Sequence, residues 1–416
     1  MIKELTIEKT GLPVGWVSKL LGEISVVSAG NSAPQKKELF TNGTFPFIRT
    51  SDVGKIKKGQ IQSSLDNLND EGIKKLRLFK KGTILFPKSG ASTFLNHRVI
   101  MMIDGYVSSH LATIKPGDSC DDKYLWYFLI LIDAKDLMQD IAYPSLKLSD
   151  IKNIPIAIPT LAQQKQIVAT LDKAFAAIDT AKANAEQNLQ NAKELFESYL
   201  QNVFENKGDD WEEKTLGEVT SKIGSGATPR GGKASYKEEG ISLIRSMNVH
   251  DFYFKKKNLA FIDDKQADAL SNVTLQEKDV LLNITGASIA RCCMIPKEYL
   301  PARVNQHVSI IRAKKDIINP VFLASLLTSK YFKDQILEIG EQGATRQAIT
   351  KVQLENFHIS YPKEIEKQEK VIQNINLIKA ETKKLEAIYT QKIADLEEMK
   401  KSVLQKAFSG QLNTIN

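Results

Sequence analysis

G-W-V-S-K-L-L-G-E-I at residues 15–24 returns as D-W-E-E-K-T-L-G-E-V at residues 210–219. The echo continues in the same order. F-P-F-I-R-T-S-D-V (45–53) answers to G-I-S-L-I-R-S-M-N-V (240–249), with Arg49 opposite Arg245. S-G-A-S (89–92) answers to T-G-A-S (285–288), V-S-S-H (107–110) to V-N-Q-H (304–307), and Y-L-Q-N-V-F (199–204) to V-L-Q-K-A-F (403–408). A unit of roughly 200 residues is therefore duplicated, which is too long a period for a solenoid. Two similar but non-identical units on one chain predict a pseudo-two-fold protein that reads two similar but non-identical things.

Each half has two parts. The first carries short β-rich runs bounded by Gly, Pro, Asn and Asp: 45–49, 83–87, 107–114 and 154–159, then 242–245, 279–284, 304–312 and 357–362. One helix falls late in each unit, at 123–132 and 320–329, giving an irregular α/β domain. The second part is free of Pro and Gly. Over 161–206, Ile167, Leu171, Phe175, Ile178, Ala185, Leu189, Phe196, Leu200 and Val203 keep a three-or-four spacing. Over 364–409, Ile375, Ile378, Leu385, Tyr389, Leu396, Met399 and Val403 do the same, and Gly410 stops the run. This is the seam of a coiled coil. Each helix would be about 70 Å long at about 1.5 Å per residue. Two helices of equal length alternating with two related domains predict an internal antiparallel pair, with the globular units at opposite ends.

Composition narrows the class. The 416 residues allow several domains, and no run approaches the ~18 apolar residues of a membrane span. The opening M-I-K-E-L-T-I-E-K-T lacks the apolar core of a signal peptide. Cys120 and the adjacent Cys292 and Cys293 offer neither a C-x-x-C motif nor a disulfide framework, which fits a reducing cytoplasm. The net charge of +8 divides as +5 over 1–160, −2 over 161–206, +3 over 207–360 and +2 over 361–416. The positive excess sits mainly in the globular halves, compatible with a polyanionic partner.

L-P-x-G-W followed by L-G-E-I (12–24), P-T-L-A-Q-Q-K-Q-I-V (159–168), its weaker counterpart P-K-E-I-E-K-Q-E-K-V-I (362–372) and the loop G-S-G-A-T-P-R-G-G (224–232) carry a resemblance. So does the order of globular unit, long helix, globular unit, long helix. From about residue 12 to 410 the chain resembles the specificity subunits of type I restriction–modification systems. The resemblance implies an α+β fold: two α/β target recognition domains (1–160 and 207–360) separated by two long antiparallel coiled-coil helices (161–206 and 361–416), with pseudo-two-fold symmetry. Each domain would read one half of a split double-stranded DNA sequence. The helices would set the gap and dock two modification (methyltransferase) subunits, and restriction subunits could join. The chain itself would be non-catalytic and carry no cofactor; S-adenosylmethionine would sit in the modification subunit and ATP in the restriction subunit.

Base-edge readers and phosphate clamps are expected on loops rich in Arg, Lys, Ser, Thr, Asn and Gln. In the first unit these are Arg49, Thr50, Lys88, Ser89, Ser92, Tyr143, Ser145 and Lys147. In the second they are Thr228, Arg230, Lys233, Arg245, Thr285, Ser288, Thr345, Arg346 and Gln347. Arg49 and Arg245, which repeat, suit a shared role as phosphate clamp or structural ion pair. Scaffold should match between halves and base readers should differ, which favours 143–147 against 343–347 as specificity loops. The equivalent His110 and His307 lack Cys, Asp or Glu partners at ligand spacing and read as core or loop-bracing residues.

Enzyme signatures are fragmentary. G-A-T-P-R-G-G-K (226–233) imitates a P-loop, but Ala234 stands where Ser or Thr is required. Asn319-Pro320-Val321 is a fragment of a base-flipping methyltransferase tetrapeptide, and Asp121-Asp122-Lys123 is part of a nuclease pattern without its upstream carboxylate. The chain reads as a reader rather than a catalyst. A coiled-coil DNA-binding scaffold and a stand-alone regulator are the competing classes; the first lacks an ATPase head, and the second usually dimerises one small unit.

Overall fold

The computed structural model describes residues 12–138, 144–341 and 348–412. The chain forms two compact units, one of Met1–Ala185 with Gln391–Asn416 and the other of Glu186–Thr390. Each unit thus takes one globular half, the start of one long helix and the end of the other.

The first unit contains strands β1 (Val17–Leu20), β2 (Ser25–Ala29), β3 (Phe45–Ile48), β4 (Lys58–Ile61), β5 (Asp66–Leu68), β6 (Ile84–Pro87), β7 (Arg98–Met101), β8 (Tyr106–Val107), β9 (Leu111–Pro116) and β10 (Pro155–Ile158). They form a five-stranded sheet in the order β2-β9-β6-β7-β4, a three-stranded sheet β5-β3-β8 and the pair β1-β10. The register Val17↔Ile158 closes the globular half on itself just before the first long helix. Strand β6 is apolar throughout because both its faces are covered. Ile84 and Phe86 face the helix Asp122–Leu131, while Leu85 packs with Val99, Met101 and Leu111 on the other side. That helix is itself apolar nearly all round, as a helix buried on every side must be.

The second unit repeats this plan with β11 (Trp211–Thr215), β12 (Thr220–Ser225), β13 (Ile241–Ile244), β14 (Val249–His250), β15 (Tyr253–Phe254), β16 (Ala260–Ile262), β17 (Val280–Asn283), β18 (Cys292–Met294), β19 (Ala302–Val304), β20 (Val308–Ala313) and β21 (His358–Pro362). Orders β12-β20-β17-β18, β16-β13-β19 and β11-β21 reproduce those of the first unit. The exception is β4, which pairs in parallel with β7. Its place beside β18 is taken by the hairpin β14-β15, where Phe252 N donates to Cys292 O and Cys292 N donates to Asp251 Oδ1. A helix at Lys330–Glu341, which the sequence reading did not anticipate, supports that hairpin through Lys333 and Asp251, 2.6 Å apart.

The runs 107–114 and 304–312 are not single strands. Each breaks at a turn, at Ser108–His110 and Asn305–His307, so that one piece pairs in parallel with β3 or β13 and the other joins the large sheet. Asp121 and Asn319, the two enzyme-like fragments, are equivalent helix N-caps. Asp121 Oδ1 accepts from Lys123 N and Tyr124 N, and Asn319 Oδ1 accepts from Val321 N ahead of helix Pro320–Thr328.

The long helices span Leu161–Glu205 and Ile365–Phe408. Within the first unit their segments run antiparallel, with Lys182 paired to Glu397 and Asp179 to Lys400. Of the expected seam, Ile167, Leu171, Phe175, Ile178, Leu200 and Ile375 are buried, while Leu189, Ile378, Leu385, Leu396 and Val403 are half-buried. Met399 is exposed, and Leu404, Ala407 and Phe408 do the burying at that end. The seam departs from a plain coiled coil because its ends serve the globular cores. Ile167 to Ile178 pack with Tyr124, Tyr127, Phe128 and Phe408 in the first unit. Leu200 and Phe204 pack with Phe322 and Ile375 in the second. Among positions 185–192 the buried residues are the small Ala185 and Ala192.

The start of each long helix is fixed by a glutamine with no solvent exposure. Gln164 Oε1 accepts from Asp121 N at 2.8 Å, and its Nε2 donates to Ser119 O and Pro159 O. Gln368 repeats the set with Asn319 N at 2.7 Å, Ile317 O and Pro362 O. One side chain thus satisfies three backbone groups where strand, cap and long helix meet.

Candidate nucleic-acid interface

The S-G-A-S turn follows β6, and the T-G-A-S turn follows β17. In the first unit Ser89 Oγ lies 2.8 Å from His110 Nδ1, Lys88 N donates to His110 O, and Ser92 Oγ donates to Ser89 O. The segment carrying Ser145 and Lys147 joins them. Ser89 bridges Ser145, Gly90 N donates to Pro144 O, and Leu146 N donates to Lys88 O. Lys147 caps the short helix Leu148–Lys152. Five of the eight first-unit candidates, Lys88, Ser89, Ser92, Ser145 and Lys147, therefore converge.

In the second unit Thr285 Oγ1 lies 2.5 Å from His307 Nδ1 and Ile284 N donates to His307 O. Thr285 bridges Ala348, and Ser288 Oγ accepts from Asn283 Nδ2 at 3.1 Å. Both histidines thus brace a hydroxyl-bearing turn. The second cluster reaches further. Thr228 Oγ1 donates to Gln306 Oε1, and Gln306 Nε2 lies 3.2 Å from His307 Nε2. Because Gln306 donates to Nε2, His307 carries its proton on Nδ1 and donates to Thr285. One chain of hydrogen bonds therefore ties the 226–232 loop, the 305–307 turn and the T-G-A-S turn together. Arg230 is exposed on the first of these and Lys233 is exposed on the turn that follows it.

The loop leading into this chain needs a glycine in both units. A Cβ on Gly226 would sit 1.8 Å from Val304 O, and one on Gly30 would sit 2.2 Å from Ser108 O. The exposed Gln35, Lys36 and Lys37 lie beyond Gly30 in the first unit. The sequence reading passed over this stretch, although the G-x-x-x-P spacing of Gly30 and Pro34 stands near that of Gly226 and Pro229.

Arg49 and Arg245 lie apart from these hydrogen-bond chains. Each starts a short helical turn at the end of a matched strand, but their guanidiniums differ in partner. Arg49 Nε is 2.6 Å from Asp66 Oδ2, with the guanidinium 5.4 Å and 5.1 Å from the Phe40 and Phe47 ring centroids. Arg245 Nη2 donates to Asn258 O, and its guanidinium lies 5.3 Å from the Tyr236 ring. Thr50 is the first residue of helix Thr50–Ile56. Tyr143, Thr345, Arg346 and Gln347 lie outside the described residues, whose flanks Pro144, Ser145 and Ala348 lead into the two clusters.

Among the described residues no group of three or more His, Cys, Asp or Glu could hold a metal ion, and no helix is long and apolar enough to cross a membrane.

A duplicated α+β protein with one braced, polar loop cluster per copy is the class these observations define. The family model described as the type I restriction modification DNA specificity domain matches twice, over residues 13–191 and 208–398, and the chain belongs to that family. It is 33% identical over 153 residues to the specificity subunit of the type I restriction enzyme MjaIX from Methanocaldococcus jannaschii, covering 36% of this chain and 35% of that protein. The chain thus spans about a third of that relative's length. With the MjaVIII specificity subunit of the same organism it shares 25% identity over 334 residues, 75% of each chain. A solved structure concerned with complex assembly and conformational transition of the type I R-M system superposes with a TM-score of 0.74 at 19% identity, over 96% of this chain and 99% of that one, a likeness of fold.

Proposed function

We propose that this chain is the DNA sequence-specificity subunit of a type I restriction–modification complex. Each unit reads one half of a bipartite target in double-stranded DNA, and the two long helices set the gap and dock two modification subunits. Restriction subunits can join the same assembly. The chain positions the DNA, and the chemistry belongs to its partners, in the cytoplasm.

The observation that carries this reading is the repeated hydroxyl–imidazole brace, Ser89–His110 and Thr285–His307, under turns whose neighbouring residues differ between copies. A repeated brace with divergent surroundings suits a device that presents two different base-reading surfaces from one scaffold. Basic residues on the same loops, Lys88 and Lys147 in one unit and Arg230 and Lys233 in the other, suit phosphate contacts that position without specifying.

The test is co-expression with the methyltransferase subunit encoded beside it, followed by sequencing of the host methylome. A split motif of fixed gap, methylated only when this chain is present, is expected. Assembly with the methyltransferase without new methylation refutes the reading. Removing four residues, about one helical turn, from within 171–192 should change the gap and leave the letters of both halves intact.

A further inference from the structure

Gln306 is not among the residues the sequence points to, yet its amide is held at both ends by partners on the second unit's loops. It sits exposed on the turn between β19 and β20. Its Oε1 accepts from Thr228 Oγ1 and its Nε2 donates to His307 Nε2, which is itself held by Thr285. A primary amide has two acceptor lone pairs and two N–H donors. One of each is used internally. What remains on the open side is one acceptor beside one donor, fixed in plane by two partners on two different loops.

We propose that Gln306 is a specificity-determining residue of the second unit and reads an adenine in the major groove. Adenine presents an N7 acceptor and an N6 amino donor there, the complement of the remaining Nε2–H and Oε1. Guanine presents two acceptors, N7 and O6, so the amide oxygen would face another oxygen. Cytosine offers a donor alone, and thymine an acceptor beside a methyl group. Thr228 and His307 are positioning residues: they decide which edge of the amide points outward. In the first unit the same turn carries Ser109, whose single hydroxyl cannot make the paired contact, so the first half has no equivalent of this adenine reader at that point. The inference rests on the proposed function and adds a residue and a base to it.

The experiment uses the full chain assembled with its methyltransferase, read by methylome sequencing and by DNA binding to the resulting motif. The wild-type motif should contain an adenine in one half-site whose replacement weakens binding by about 5- to 150-fold. Gln306→Ser should reduce that discrimination to near unity at this single letter, with the other half-site and the gap unchanged. Gln306→Arg should shift the preferred letter toward guanine, and Thr228→Val should lower discrimination while Thr228→Ser retains it. If every adenine of the second unit's half-site keeps its discrimination in Gln306→Ser, the inference is overturned, as it is by a motif in which every letter responds equally. Loss of all methylation by a normally assembled Gln306→Ser complex also overturns it, because losing one base contact relaxes a letter without abolishing the rest. A wild-type complex that yields no bipartite motif overturns the proposed function, and the inference falls with it. A bipartite motif lacking adenine in both halves overturns the inference alone.

Discussion

Phe408 in the first unit and Phe204 in the second hold the same place in the repeat, yet each is delivered by a different route. Phe408 comes from the far end of the chain and packs on Tyr124 and Phe128, with ring centroids 5.0 Å and 5.5 Å away. Phe204 ends the central helix and packs on Phe322 and Trp211 at 5.6 Å and 6.5 Å. The two cores are built alike from exchanged ends. The loops they support are not alike, since the hydrogen-bond chain through Thr228, Gln306, His307 and Thr285 exceeds the Ser89–His110 contact opposite. Duplication preserved what holds the site and varied what the site presents.

The aromatic anchors give the largest expected effects. Phe408→Ala and Phe204→Ala should each cost about 3–5 kcal/mol. The comparison breaks if the loss falls in the wrong place. Phe408→Ala should accelerate amide exchange in helix 122–131, and Phe204→Ala in helix 320–328. Faster exchange spread evenly over both units would sink the idea that each core is closed by the other helix's end.

A buried ion pair sharpens the difference next. In the second unit Arg312 Nε and Nη2 grip Asp279 at 2.8 Å and 2.7 Å, with the carboxylate side chain 1% exposed. In the first unit Lys115, on the strand matching β20, pairs instead with Asp122 at 2.9 Å, both side chains 39% exposed. Leaving Arg312 unpaired and half-desolvated in Asp279→Ala should cost roughly 3 kcal/mol. Lys115→Ala should cost less than about 1 kcal/mol, being a solvent-screened pair. Equal costs in urea denaturation would show that the two pairs are energetically one device.

The glutamine locks predict sameness. Gln164→Leu and Gln368→Leu each strand one backbone N–H and two carbonyls, at about 1 kcal/mol or more per group. Matched losses of about 3 kcal/mol or more are expected in denaturant titrations. A difference above about 1 kcal/mol would mean that the two helix starts are not equivalent.

These contrasts also explain what the sequence could reveal. The duplication, the strands within the runs 45–49 and 83–87, and the long helices within the Pro- and Gly-free runs 161–206 and 364–409 were legible because each is a local pattern of apolar spacing and turn residues. Gln164 and Gln368 were visible inside the motifs that carried the family resemblance. Their burial was not, because it depends on Ser119, Asp121, Ile317 and Asn319, 43 to 51 residues away. Arg49 and Arg245 looked interchangeable for the same reason: their partners differ, the Asp66 carboxylate on β5 against the Asn258 carbonyl just ahead of the matching strand β16. Gln306 stood in plain view opposite Ser109 in V-N-Q-H against V-S-S-H, a mismatch inside a matched frame. The rule that readers differ and scaffold matches points to that position once the histidine beside it is known to brace.

The last contrast separates the units by pH. Burial pushes the Cys120 and Cys293 thiols up to about 12 and raises Cys292 as well, from an ordinary value of 9.0. Above pH 9 the unfolded chain releases these protons while the folded chain keeps them. Stability contributed by the thiols is therefore full below pH 9 and is lost as pH rises toward 12, at up to about 1.4 kcal/mol per pH unit per thiol. The first unit holds one such thiol and the second holds two. Between pH 9 and 10.5 the second unit should weaken about twice as steeply, read as the shift of its denaturation midpoint against that of the first. Cys292→Ala, Cys293→Ala and the double variant should bring that slope stepwise down to and then below the first unit's. A slope that ignores the substitutions would assign the alkaline loss to lysines and tyrosines instead.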